Sequence, residues 1–100
     1  MKKRFIVCVD NPTNPQSVEF VEWLNSFKVG WWHWLNNVWL ISDVNGKLTE
    51  TEIRDKAMAL FTGQNLIVLR IDQTTDSWAG FGPNNGEKNM FPWLKDYWKK

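Results

Sequence analysis

The chain has a single cysteine, Cys8. That excludes an internal disulfide framework and suits a reducing cytosol. A single histidine, His33, leaves no second imidazole for a histidine-ligated metal and no Ser-His-Asp pattern to read. The 6 glycines form neither a Walker-type phosphate loop nor a dinucleotide-binding fingerprint. No apolar run reaches membrane-spanning length, so a cytoplasmic protein with no membrane partner is expected. Neither sign of charge dominates: 12 Lys and Arg against 11 Asp and Glu leave a net charge of +1, which excludes a polycationic nucleic-acid binder. Six of the 12 basic residues gather at the two ends, Lys2, Lys3 and Arg4 at one and Lys95, Lys99 and Lys100 at the other. The opening "MKKRFIVCVD" reads as a first strand, because its apolar run stops at Asp10 without a small-residue cleavage site.

What the chain does have is tryptophan. There are 8 in 100 residues, and "WWHWLNNVWLIS", residues 31–42, holds four of them with the histidine. A chain of this length forms one domain and buries roughly two-thirds of the surface its unfolded form exposes. Those rings are therefore either core or surface for a partner.

Turn and cap chemistry divides the chain. "RFIVCVD" is β-branched and aromatic and runs into the turn-rich "DNPTNP". Asn14 as N-cap, Pro15 in the first turn and Gly30 as stop frame a helix whose stripe is Val18, Val21, Leu24 and Phe27 or Lys28, flanked by Phe20 and Trp23. "NN" at 36–37 tolerates a type I′ turn, which predicts a hairpin pairing Leu35 with Val38, Trp34 with Trp39, His33 with Leu40 and Trp32 with Ile41. Thr49 and Glu52 form a capping-box pattern for a second helix, with Ile53, Ala57 and Leu60 inward and Gly63 as its stop. "NLIVLRID" is a fourth strand. The order β-α-β-β-α-β predicts an α+β, ferredoxin-like domain: a four-stranded antiparallel sheet with two helices on one face. It spans residues 1–72, a Gly and aromatic loop follows over 73–90, and a short C-terminal helix over 91–100 completes the single domain.

Strand alternation then assigns faces. Phe5, Val7 and Val9 oppose Arg4, Ile6, Cys8 and Asp10. Trp32, Trp34, Trp39 and Ile41 oppose Trp31, His33, Leu35, Val38 and Leu40. Ile67, Leu69 and Ile71 oppose Leu66, Val68, Arg70 and Asp72. The wholly apolar sets are expected under the helices, with Cys8 buried and inert. The mixed sets are still too apolar for water, which predicts a homodimer through the open face or a sheet edge. Trp32, Trp34 and Trp39 are then core, and Trp31 and His33 face a partner. In the loop, Trp78 and Phe81 of "WAGFGP" either stack on a ligand, with Gly80 and Gly82 letting backbone approach, or fold back over the core.

"WWHWLNNVWLIS", "LTETEIRD" and "WAGFGP" together resemble the small bacterial and phage proteins labelled SinR-like, over roughly residues 3–82. These look like relatives of the dimeric, ferredoxin-like CRISPR-adaptation nucleases and of toxin-type ribonucleases. The resemblance implies a metal-binding Asp at the end of the first strand, matching Asp10. The basic residues that accompany it in those nucleases are missing from "NPTNPQS".

Three functions are expected from these features. The first is a non-catalytic homodimer that binds a nucleotide or short nucleic acid through Trp31, His33, Trp78 and Phe81, with Arg4 or Arg70 on phosphate. Such a protein would suit a phage antagonist that sequesters a host nucleotide signal, and it needs no cofactor. The second is a protein-interaction module that docks a host defence factor. The third is a nuclease in which two copies of Asp10 hold magnesium across a two-fold axis.

Overall fold

The structure, a computed structural model, describes residues 2–71 and Trp98, apart from the side chain of Trp34. The loop expected over 73–90, with Trp78 and Phe81, and all of the C-terminal helix except Trp98 lie outside the described residues. So does the side-chain placement expected for Trp34.

Among the described residues six elements follow in order: β1 (Lys3–Val9), α1 (Asn14–Ser26), β2 (Gly30–Leu35), β3 (Val38–Asp43), α2 (Glu50–Leu60) and β4 (Leu66–Ile71). The four strands form one sheet in the order β2-β3-β1-β4, and every neighbouring pair is antiparallel. This is an α+β arrangement compatible with a ferredoxin-like fold. Among the described residues, no helix is long and apolar enough to cross a membrane.

Both helices start on reciprocal caps. Thr49 accepts from the Glu52 amide while the Glu52 carboxylate accepts from the Thr49 amide. In α1 the same box is built by Thr13 and Gln16, so the N-cap is Thr13 and not Asn14. An Asn14 cap would put Ser17 three residues on, too short to reach back, whereas Gln16 closes the box. Nor does Gly30 end this helix. Lys28 takes the left-handed conformation (φ 57°), and Gly30 opens β2 opposite Ser42.

The core lies between the helices and one sheet face. Phe5, Val7 and Val9 of β1 and Trp39 and Ile41 of β3 meet Phe20 and Leu24 of α1, Ile53 and Ala57 of α2, and Leu48 and Phe61 beside it. Trp39 is fully buried and stands edge-on to Phe20 at 5.2 Å, with Phe61 5.4 Å away. That ring cluster ties β3 to α1 and to the end of α2. Truncating such an indole to alanine costs about 3–5 kcal/mol. The α1 stripe is rotated from its expected position: Phe20 and Leu24 are buried, while Val18 is exposed.

Two strands present the face opposite to the one their composition predicts. In β2 the pairs are Leu35–Val38, Trp32–Leu40 and Trp31–Ile41, with a register shift between Trp32 and Leu35. One extra residue beyond the turn forms a bulge, and a one-residue slip turns every side chain beyond it to the other face. Trp31 therefore joins the main core, and Trp32 is buried on the opposite face against Trp98. In β4, Leu66 and Val68 cover the core while Ile67 and Leu69 stay exposed. The β1 register decides this, because Val7 faces Val68 and Cys8 faces Ile67. Arg70 shares the core face of β4 and is nonetheless exposed, as a position on an edge strand near the strand end allows.

Candidate functional site

The described members of the expected ligand pocket are not brought together within one copy. Trp31 and His33 lie on β2, at one edge of the sheet and on its helix-covered face. Arg70 lies on β4, at the far edge, and Arg4 sits on the open face of β1 opposite Ile71.

Trp31, His33 and Arg4 each have a local role. The Trp31 indole donates to the Asn25 side-chain oxygen at 2.8 Å, which ties the β2 edge to the last turn of α1. His33 stacks flat on Trp39, with ring centroids 3.8 Å apart and planes inclined by 6°. Its Nδ1 lies 2.8 Å from the Val38 carbonyl oxygen. A carbonyl only accepts, so Nδ1 carries the proton and Nε2 holds the lone pair of the neutral ring. Burial lowers the His33 pKa below its ordinary 6.5, and the Val38 hydrogen bond opposes that shift. Arg4 lies over the Trp98 ring at 5.5 Å, and both Lys2 and Arg4 donate to the Trp98 carbonyl. Trp98 in turn covers Trp32, with Ile6, Leu40 and Ile71 around it. The open face is thus divided in two. Its half near the start of β1 is roofed by Trp98.

The other half is the candidate site. It carries Cys8 of β1, Val38 of β3, Leu35 of β2, and Ile67 and Leu69 of β4. Strand registers place these side chains on one face: Cys8 opposes both Val38 and Ile67, Ile6 opposes Leu69, and Leu35 opposes Val38. Leu35, Ile67 and Leu69 are 50%, 53% and 45% exposed, values far above those of core leucines. Cys8 is half-buried and unbonded, so the expected full burial gives way to partial access. Alternation alone turns it outward, since the helix side of β1 belongs to Val7 and Val9. Beyond it, a shallow cleft of about 410 Å³ opens where β1 ends, lined by Cys8, Asp10, Asn37, Asn65 and Ile67 among others. Backbone bonds from Val9 to Asn37 and from Asp10 to Asn65 set its shape.

Asp10 is exposed at that cleft. Among the described residues, no group of three or more His, Cys, Asp or Glu side chains is placed to hold a metal ion. Asp43, the one buried carboxylate among the described residues, serves the fold. Its Oδ2 accepts from the Leu48 amide at 2.7 Å and anchors the turn that leads into α2.

No family model matches the chain, and neither does any curated protein or solved structure. None of these comparisons links the chain to the SinR-like proteins or to the CRISPR-adaptation nucleases.

Alternation already sets Leu35, Val38 and Cys8 on the open face, but it assigns Ile67 and Leu69 to the core. The apolar half-face is legible only once β1 and β4 are paired in register, because that step puts the wholly apolar set of β4 outside.

Proposed function

We propose that this chain is a non-catalytic interaction domain that works as a homodimer through the uncovered half of its sheet. One observation carries the reading: Leu35, Ile67 and Leu69 stay exposed on a face whose other half is already covered by Trp98. A contiguous apolar strip beside a covered one is a typical association surface. The arrangement of His33, Arg4 and Arg70 supports the same reading. The local partners of His33 and Arg4, and the spread of all three over two faces and both sheet edges, mean that one copy does not gather them into a nucleotide pocket.

Sedimentation velocity over a wide concentration range tests the proposal. The mass of the wild-type chain is expected to rise from 11.8 kDa towards twice that value, and Leu69→Asp to hold it at the monomer. A wild-type chain that stays monomeric throughout contradicts the reading. A saturable tryptophan-emission change with mononucleotides, cyclic nucleotides or short oligonucleotides, without self-association, would transfer the function to a ring-lined ligand pocket.

A further inference from the structure

Resting on the homodimer reading, we propose that the contact is a strand pairing: β4 adds to β4 of a second copy, antiparallel, about a two-fold axis at Val68. The two sheets become one sheet of eight strands, and Ile67 and Leu69 of both copies form its apolar centre.

The two edges of the sheet differ in how they are guarded. β2 carries the bulge between Trp32 and Leu35, a device that spoils an edge for further pairing. β4 pairs with β1 over six consecutive residues without a shift, and "LIVLRI" contains no proline and no lysine. Among the described residues, nothing pairs with its outer side. A regular and largely apolar edge, whose one charge, Arg70, sits near its end, is a template for another strand.

Symmetry and charge fix the register. A two-fold axis perpendicular to the sheet keeps both pairs of helices on one side, so facing residues must share a face and one residue must oppose its own copy. Placing Val68 on the axis sets Ile67 against Leu69 of the second copy on the open face. Leu66 then meets Arg70 on the helix face. The two Arg70 positions stand about 14 Å apart along the strand direction. Moving the axis to Leu69 would halve that offset to about 7 Å and draw like charges together.

The helix above the edge supplies the complementary charge. A groove of about 240 Å³ runs along the outer side of β4, with Leu66, Ile67 and Val68 on one wall and Glu50, Thr51 and Arg54 of α2 on the other. Glu50 and Arg54 are one helical turn apart on the same side of α2. Across the axis the two helices run antiparallel, so Glu50 of each copy faces Arg54 of the other, whose Nε and Nη2 already hold its own Asp55 at 3.1 and 2.8 Å and whose Nη1 is left for the second carboxylate.

Two measurements on the full chain test this. In a Cys8→Ser background, Val68→Cys is expected to form a disulfide-linked dimer under mild oxidation, while Leu35→Cys does not. By sedimentation, Glu50→Arg is expected to weaken self-association roughly tenfold, and the double variant Glu50→Arg/Arg54→Glu to restore it. Circular dichroism confirms that each variant is folded, and the rescue arm keeps the test valid if Val68→Cys fails to fold. A dimer that cross-links at Leu35 and ignores the charge swap would overturn strand pairing and leave the homodimer reading intact. A monomer at every concentration would overturn both.

Discussion

Removing the Asp43 carboxylate should destabilise the domain out of proportion to its size. Asp43 is 1% exposed, and its Oδ2 accepts from the Leu48 amide at 2.7 Å. Lys3 holds the same turn from the other side by donating to the Leu48 carbonyl at 2.9 Å. In Asp43→Ala the Leu48 amide loses its acceptor while staying buried. A hydrogen bond to a charged group is worth about 1.5–3 kcal/mol, and an orphaned buried donor costs a similar amount. A loss of about 2–3 kcal/mol is expected. For a domain of this size each kcal/mol moves Tm by about 4–8 °C, so the shift should exceed 8 °C or so. Asp43→Asn sharpens the test. It keeps an oxygen for Leu48 and removes a charge whose Oδ1 has no hydrogen-bond partner among the described residues. Asparagine keeps the Leu48 bond but sets its own amide where Oδ1 has no such partner, so it should recover only part of the loss and lie between alanine and wild type. Urea unfolding followed by tryptophan emission measures both variants. An Asp43→Ala protein as stable as wild type, or an Asn variant as weak as Ala, would refute the reasoning.

Two other changes have definite expectations. Lys28 pays the left-handed penalty at φ 57°, so Lys28→Gly should raise unfolding stability by about 0.5–1 kcal/mol, and an unchanged or lower midpoint would show that the turn is not strained. His33 has its folded pKa below 6.5, so the native state binds fewer protons than the unfolded one in the window beneath that value. Stability is then fully present above about pH 6.5 and falls as the pH drops through the lowered folded value. His33→Gln should remove that part of the acid limb, and a denaturation profile identical to wild type from pH 7 to 5 would contradict the assignment.

Local chemistry made much of the fold legible. Both helices, the hairpin and the fourth strand were readable because caps, turns and strand residues act over a few neighbours. The Thr49–Glu52 box and the Ile53–Ala57 stripe are examples. What was not legible depends on partners distant in sequence. "WWHW" offers no residue that marks a bulge, yet one extra residue exchanges the faces of Trp31 and Trp32. The faces of β4 also defeat composition, because Arg70 can sit on the core side of an edge strand and still reach water. The candidate site inherits both effects. Trp31 and His33 turn inward against α1 and Trp39, and the exposed strip falls on Ile67 and Leu69, which composition assigns to the core.

The central claim is that the uncovered half-sheet and its β4 edge form an interface, and hydrogen exchange at low and high protein concentration tests it most directly. The account predicts that amides of β4 exchange more slowly as concentration rises, because those on the outer edge gain carbonyl partners from the second copy. Exchange through Leu66–Ile71 that is independent of concentration would contradict it, as would protection that rises only along Trp31–His33.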